Sequence, residues 1–558
     1  MAKYVIGLDF GTLSARAVLV NVQNGRILAD CVFDYPHGVM DRALPDGTPL
    51  GINWALQHPQ DYLDAVQYLV PAVMEKGGAD KTEVIGLGID FTACTVIPVD
   101  ENMNPLCFQE KYKKRPHAYV KLWKHHAAQY EADRVNRLAF ERKEAFLDRY
   151  GGKISSEWLI PKAMQILDED PEIYESMAAL VEAGDWLVYV LTGNIVKSSC
   201  MAGYKATWHK KEGYPTKDFL KALDVRLEKL VEEKLPGEVM PAGSKAGEIN
   251  RCGAALSGLS EGTSVAVSVI DAHAAVLGVG ITKPGKLFMI VGTSMCHLLL
   301  GEKEKHVPGI SGVVEDGIIP GYFGYEAGQA CMGDHFAWFA ENACPSYIEQ
   351  EAKADKRKLL AHLDMLASRL KPGESGLLAL DWWNGNRSVL VDADLSGMIV
   401  GCTLQTKPEE IYRALTEATA FGTRMIVETF INSGVPIEGI VAAGGIAVKS
   451  PFVMQVFADV LGMEITVNKT SQIGALGAAM FAAAAAGSKA GGYDLLSDAA
   501  ERMAGKDTVT YRPNGSYKRV YDSLYEEYRA LHDYFGRGQN NVMKKLRSLA
   551  NEQKGEAF

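Results

Sequence analysis

Three short segments carry residue types that suit phosphate chemistry. The first is Gly7-Leu8-Asp9-Phe10-Gly11-Thr12-Leu13-Ser14-Ala15-Arg16. A tight hairpin at Gly11 lets backbone N–H groups approach an anion closely, and the Thr12 and Ser14 hydroxyls add donors. Asp9 stands at the strand end beside this turn, where a carboxylate can hold Mg²⁺ directly or through water. Gly292-Thr293-Ser294 offers the same turn chemistry in the second half of the chain. The third segment, Ala442-Ala443-Gly444-Gly445, lies between a strand and a helix, where paired glycines let a flat ring pack on the backbone. Each segment alone also reads as an ordinary turn or helix entry. Asp271 ends the apolar run SVAVSVI and opens AHAAVLG, a position that suits a helix N-cap as well as an acid or base. Neither a Walker A motif nor Gly-x-Gly-x-x-Gly is present.

The elements that position these residues follow from periodicity. YVIGLDF (4–10) and ARAVLV (15–20) are short β runs, and RILADCVFDYP resumes a strand after the Asn24-Gly25 turn. VIGLGIDF (84–91) and TVIPVD (95–100) read as another strand pair. Residues 116–145 and 157–168 have helical spacing, and 174–192 reads as one long amphipathic helix ended by Gly193. KLFMIVGT and CHLLLG then repeat the strand–turn–strand pattern about 280 residues after the first, the mark of a duplicated architecture. The pattern continues with strand 376–380, helix 408–432, strand 437–442, helix 451–461, strand 464–467 and an alanine-rich helix at 475–486. Alternating strands and helices predict a three-layer α/β fold divided near residues 278–284. The tail, 516–551, predicts a charged helix packed outside through Tyr517, Val520, Leu524, Tyr528 and Leu531.

The 558 residues carry 58 basic and 69 acidic side chains, a net charge of −11. That balance excludes a binder of nucleic acid or anionic membrane, which needs clustered Lys and Arg. The nine cysteines are scattered, with no Cys-x-x-Cys pair and no His/Cys/Asp cluster for structural zinc, and read as reduced thiols of a cytoplasmic protein. The start, MAKYVIGLDFGT, lacks a signal-peptide apolar region, and ALGAAMFAAAAAG from Ala475 is too short to span a bilayer.

Taken in order, the motifs resemble the FGGY carbohydrate kinases, a branch of the actin-like ATPases. The matching segments are GLDFGTLSARAVLV, VIDAHAAVLGVG, FMIVGTS, AAGGIAVKSPFVMQVFADVLG and IGALGAAMFAA, together spanning residues 5–486. WLIPKAMQILDEDPE (158–172) is similar to the family's internal signature, with Gln165 where many members carry Trp. The resemblance implies an α/β fold of two actin-like (ribonuclease H-like) ATPase domains flanking a central cleft, 1–280 with the sugar site and 281–558 with the adenosine motif. It implies ATP and Mg²⁺ as cofactors and Asp271 as the general base. Asp9, Thr12 and Thr293 would contact Mg²⁺ and phosphate, with Gly11, Ser14, Arg16, Gly292 and Ser294 beside them. Arg16 has the alternative of pairing with a carboxylate on the hairpin. Gly444 and Gly445 would line the adenine pocket with Lys449 at its edge, unless Lys449 is simply solvated. For the sugar the resemblance points to the Thr92-Ala93-Cys94 turn, Trp123, Lys205, Asp271 and Glu326. Lys205 and Glu326 could equally form a structural ion pair. His125 and His126 read as solvated, and His273 as cleft wall.

Within the family, GIDFTACTVIPVD, KLWKHHA, EAGDWLVYVLTG, GYFGYEAGQACMGD and ALDWWNGNR are most similar to the branch that converts L-ribulose to L-ribulose 5-phosphate in L-arabinose catabolism. A kinase for xylulose or ribitol, or an actin-like ATPase that uses no sugar, are the alternatives. The partner implied is a small sugar, without nucleic acid or membrane, and a homodimer is the assembly the family suggests.

Overall fold

The computed structural model describes residues 3–554. Its first large sheet contains β1 (Tyr4–Phe10), β2 (Ser14–Asn21), β3 (Ile27–Asp34), β4 (Val84–Phe91), β5 (Lys245–Glu248), β6 (Ser264–Ala266) and the short β7 (Val269–Ile270), in the order β5-β6-β4-β1-β2-β3 with β7 beside β4. The second contains β8 (Gly285–Val291), β9 (Met295–Gly301), β10 (Gly312–Glu315), β11 (Phe323–Gln329), β12 (Ile437–Ala443), β13 (Ile465–Asn468) and β14 (Thr508–Tyr511), in the order β10-β11-β9-β8-β12-β13-β14. Strand directions correspond as well. β1 runs parallel to β4 and antiparallel to β2, as β8 runs parallel to β12 and antiparallel to β9. β5 lies antiparallel at the edge of the first sheet, as β14 does in the second. The duplication expected from the Gly11–Ser14 and Gly292–Ser294 turns is therefore a duplication of whole sheets.

Helices complete the layers. α1 (Pro59–Gly77) packs on β2 and β3; α2 (Leu159–Glu169) and α3 (Ser199–Lys205) belong to the long excursion between β4 and β5. That excursion has its own core around Leu106, Tyr112, Phe146, Trp158, Met164 and Phe219. α4 (Asp271–Gly278) follows β7, and α5 (Pro408–Asn432) spans the second half. α6 (Ile473–Ala486) comes late in the chain yet packs on β1, β4 and α4 of the first half, while α7 (Lys518–Gly536) covers the outside of the second. Among the described residues no helix is long and apolar enough to cross a membrane.

The seat of α6 explains its composition. Alternate residues of a strand share a face, so Gly7 and Asp9 on β1 lie on one side with Gly86, Gly88 and Asp90 on β4, to which β1 is paired. A Cβ on Gly7 would stand 1.8 Å from the Ala475 carbonyl oxygen, and one on Gly88 would stand 2.0 Å from that of Ala478. Gly477 meets α4 as closely, 1.9 Å from the Ala274 oxygen. Glycine on the strands and alanine on the helix thus bring backbone against backbone, and the first turn of α6 over the strand ends. Gly88→Ala forces a methyl into backbone that cannot yield. It is expected to cost at least about 1–3 kcal/mol, read as a lower denaturation midpoint in urea.

Four local expectations are corrected. Residues 84–91 and 96–99 do not pair: β4 lies beside β1, and Val96–Val99 pairs antiparallel with Ala179–Glu182 in a separate four-stranded sheet. That strand interrupts the helix expected over 174–192, because four consecutive buried residues fill a sheet position, and the helix runs only over Ala183–Thr192. Over 116–145 only Gln129–Arg142 is α-helical, since Pro116 opens a 3₁₀ turn and Val120–Lys121 pairs in the small sheet. The tail expected as one helix over 516–551 is two, Lys518–Gly536 and Val542–Lys554; Tyr517, Leu524, Tyr528 and Leu531 pack on the core as expected, Val520 is exposed, and Tyr521, Tyr525 and His532 are buried as well. The hydroxyls of the buried tyrosines find carboxylate acceptors, Tyr525 at the half-exposed Glu428 (2.7 Å) and Tyr528 at the buried Asp381 (2.8 Å).

Candidate active site

The two hairpins close alike. The Gly11 N–H donates to the Ser14 carbonyl at 3.0 Å, and the Gly292 N–H to the Ser294 carbonyl at 3.1 Å. Thr12 is fixed from outside: its Oγ1 accepts from the Trp123 indole N–H (3.0 Å) and its carbonyl from Gln57 Nε2 (2.8 Å). Trp123 therefore sits on the first hairpin. The N–H groups of Met332 and Asp334 donate to the Thr293 carbonyl, and that of Gly333 to the Gly292 carbonyl, seating the short helix Gly333–Trp338 on the second hairpin. Gly444 adjoins the end of β8. Its φ of +103° is left-handed, and a Cβ would lie 2.5 Å from the Val291 oxygen, so only glycine fits. Gly445 opens the helix Gly445–Lys449 with free space before it, and Lys449 is exposed at that helix's far end.

Carboxylates gather where β1, β4, α4 and α6 meet. Asp9 and Asp90 are register partners on adjacent parallel strands. A Cβ on Gly474, in the first turn of α6, would lie 3.4 Å from Asp9 Oδ2 and 3.5 Å from Asp90 Oδ2. Arg16, opposite Asp9 on β2, reaches Asp9 Oδ2 at 3.5 Å, which realises the pairing alternative. Burial outweighs that cation and holds the Asp9 carboxyl above its usual pKa. Burial, then the charges of Asp9 and Asp271, push Asp90 well above the carboxylate range. Asp271 is the first residue of α4, and its Oδ1 accepts the Ala272 N–H at 2.6 Å. Burial and the Asp9 charge raise its pKa to about 7, so this carboxylate can take a proton at neutral pH.

A second group spans the halves. Lys205, the last residue of α3, donates from Nζ to both Glu326 oxygens on β11, at 3.0 and 3.2 Å. Burial alone would lower the Lys205 pKa, but the Glu326 carboxylate beside it outweighs this and raises it. His273 lies 3.5 Å from Glu326 Oε2, stacks on Tyr204, and is neutral because burial lowers it to about 4. Arg387 adds a further cation near Glu157 and Glu326. The Thr92-Ala93-Cys94 turn follows β4 directly. Cys94 holds a left-handed φ of +51°, and its carbonyl accepts from Lys162 Nζ on α2 at 2.6 Å. His125 is corrected: it is fully buried, its Nε2 against Gln165 Oε1 at 2.8 Å, its Nδ1 accepting the Ala55 N–H. His126 is exposed as expected. Asp90, Lys162 and Arg387 were not foreseen. Asp90 had a signal, since Gly88-Ile89-Asp90-Phe91 echoes Gly7-Leu8-Asp9-Phe10.

The chain is 56% identical over 552 residues to a protein named ribulokinase from Halalkalibacterium halodurans, covering 99% of this chain and 98% of the relative. Another ribulokinase, from Geobacillus thermodenitrificans, is 54% identical over 98% of this chain and 97% of its own. The N-terminal domain model of the FGGY family of carbohydrate kinases matches residues 4–278, and the C-terminal domain model residues 287–486. The chain belongs to the FGGY carbohydrate kinases. A gluconate kinase structure from Lactobacillus acidophilus superposes on this FGGY kinase with a TM-score of 0.80 at 19% identity, over 96% of this chain and 99% of the other. A xylulose kinase from Rhodospirillum rubrum gives 0.76 at 23% identity, over 95% and 98%. These two carry the fold, two actin-like domains about a cleft, and the FGGY membership carries ATP as the phosphoryl donor.

Proposed function

We propose that this FGGY kinase transfers the γ-phosphoryl group of ATP to L-ribulose, giving L-ribulose 5-phosphate and ADP in the cytoplasm. Identity above one half along the full length of relatives named ribulokinase is the observation that carries this reading. Asp271 takes the proton of the attacking sugar hydroxyl; the new P–O bond forms as the bond to the β-phosphate oxygen breaks. Gly11, Thr12 and Ser14 on one side, with Gly292, Thr293 and Ser294 on the other, hold the phosphates, and Gly444 and Gly445 back the adenine. Thr92, Ala93, Trp123, Lys205 and Glu326 surround the ketose. The division at residue 280 puts one hairpin in each domain. The chain's carboxylates suit Mg²⁺, because Asp9 and Asp90 lie side by side on paired parallel strands and offer the oxygen ligands that a hard divalent cation takes. Asp9 would hold the ion, which when bound neutralises phosphate charge.

ADP release measured across L-ribulose, xylulose, ribitol and glycerol tests the reading. L-Ribulose is expected to give the highest kcat/KM; preference for another acceptor would move the assignment to that sugar. ATP hydrolysis indifferent to sugar would overturn the kinase itself. The pH dependence has a fixed sign. Only ionised Asp271 accepts a proton, so kcat/KM should fall tenfold per pH unit below about 7. An acid limb below pH 5 would remove Asp271 as the group reported.

A further inference from the structure

His273 stands two residues past Asp271 on α4 and has no part in the transfer described above. It is 1% exposed, and its ring stacks on Tyr204 with centroids 4.4 Å apart. Burial keeps the ring neutral although the Glu326 carboxylate lies beside it. A neutral imidazole carries one N–H and one bare nitrogen, and the groups facing each nitrogen select the tautomer. Here Nδ1 faces Cys200 Sγ at 3.2 Å. Nε2 lies 3.5 Å from Glu326 Oε2 and has no hydrogen-bond partner.

One tautomer suits these neighbours. With the proton on Nδ1, the bare Nε2 lone pair would face a carboxylate that Lys205 keeps ionised despite burial, and two negative ends would meet in a buried site. With the proton on Nε2, the N–H dipole points toward that carboxylate and Nδ1 accepts from the Cys200 thiol. The thiol can donate. Burial pushes its pKa up, so it keeps its hydrogen, and its sulfur accepts the Ile270 N–H at 3.5 Å. The contact also joins two helices that carry the site. α3 holds Cys200 near its start and Lys205 at its end, while α4 opens with Asp271 and holds His273 in its first turn.

We propose that His273 is a positioning residue for the ketose: Cys200 holds its proton on Nε2, and that N–H steers the Glu326 carboxylate into the orientation in which it and Lys205 meet the sugar. The proposal rests on the ketose-kinase reading and adds to it a residue that acts through Glu326.

Two substitutions separate reach from bulk. Gln sets its amide nitrogen near the place of Nε2, whereas the shorter Asn reaches only as far as Nδ1. His273→Asn should raise KM for L-ribulose at least about tenfold, the worth of one hydrogen bond to a charged group, with a smaller change in kcat and none in KM for ATP. His273→Gln should recover most of that loss. The second measurement is ¹⁵N NMR of the full chain labelled at histidine, the His273 signals being assigned by their shift in Cys200→Ser, which keeps a donor at that position. A neutral ring protonated at Nε2 is expected at neutral pH. A ring protonated at Nδ1, or an imidazolium, would overturn the proposal even where a His273 variant fails to fold. So would folded Gln and Asn variants with the same ketose KM, the outcome of a purely structural role. Wild type that shows the Nε2 tautomer but releases no ADP with any sugar would instead remove the kinase reading and leave the tautomer assignment standing.

Discussion

Asp271→Asn is expected to reduce kcat about 10³-fold, within the range by which a positioned base accelerates proton transfer. That corresponds to about 4 kcal/mol of barrier. The amide is the same size as the carboxylate and can still accept the Ala272 N–H, so α4 keeps its start. It lacks the basic oxygen. Replacing a buried carboxylate that Asp9 already disfavours relieves the fold, so the melting temperature should hold or rise. Sugar-dependent ADP release and thermal melting together check this. Full turnover would place the base elsewhere, whereas loss of turnover with loss of folding would point to a structural role.

Lys205→Met should damage both stability and sugar binding. Removing one member of a buried ion pair strands the other, at a cost of about 3–5 kcal/mol. Glu326 would then lose the charge that keeps its pKa low despite burial. Because α3 comes from the first half and β11 from the second, the pair also sets how the halves meet across the cleft. Lys205→Met combined with Glu326→Leu separates the two effects. The double variant should regain most of the stability, since an apolar pair substitutes for a buried ionic one, while KM for the ketose stays high. Recovery of KM along with stability would reduce the pair to a structural contact.

What was legible in the sequence was local. The two hairpins announce themselves because a Gly-Thr turn carrying a Ser between β runs is contiguous, and helix 408–432 was readable from its own periodicity and observed at those limits. Pairing across distance was not legible. Nothing between residues 84 and 100 says that β4 seeks β1 rather than the strand that follows it. Buried polar residues misled in the same way. Lys162 sits in an apolar helix where a lysine suggests surface, yet its ammonium bonds the Cys94 and Leu122 carbonyls. His125 lies in a run of cations, and only the fold reveals Gln165 waiting for it. In the tail the helical period and most of the packing face were legible, whereas the burial of Tyr521 and Tyr525 was not, because the partners of their hydroxyls, Glu417 and Glu428, lie more than 90 residues away.

The late helix α6 has a consequence for how this enzyme can be made. The two family domains match residues 4–278 and 287–486, but in space the first sheet is covered only when residues 473–486 arrive. A fragment ending at 280 would leave the glycine row of β1 and β4 bare, and a fragment beginning there would carry an uncovered alanine helix. On the ribosome the first half must therefore wait, incompletely covered, until nearly the whole chain has been synthesised. The first sheet is covered only in the presence of the C-terminal part of the chain.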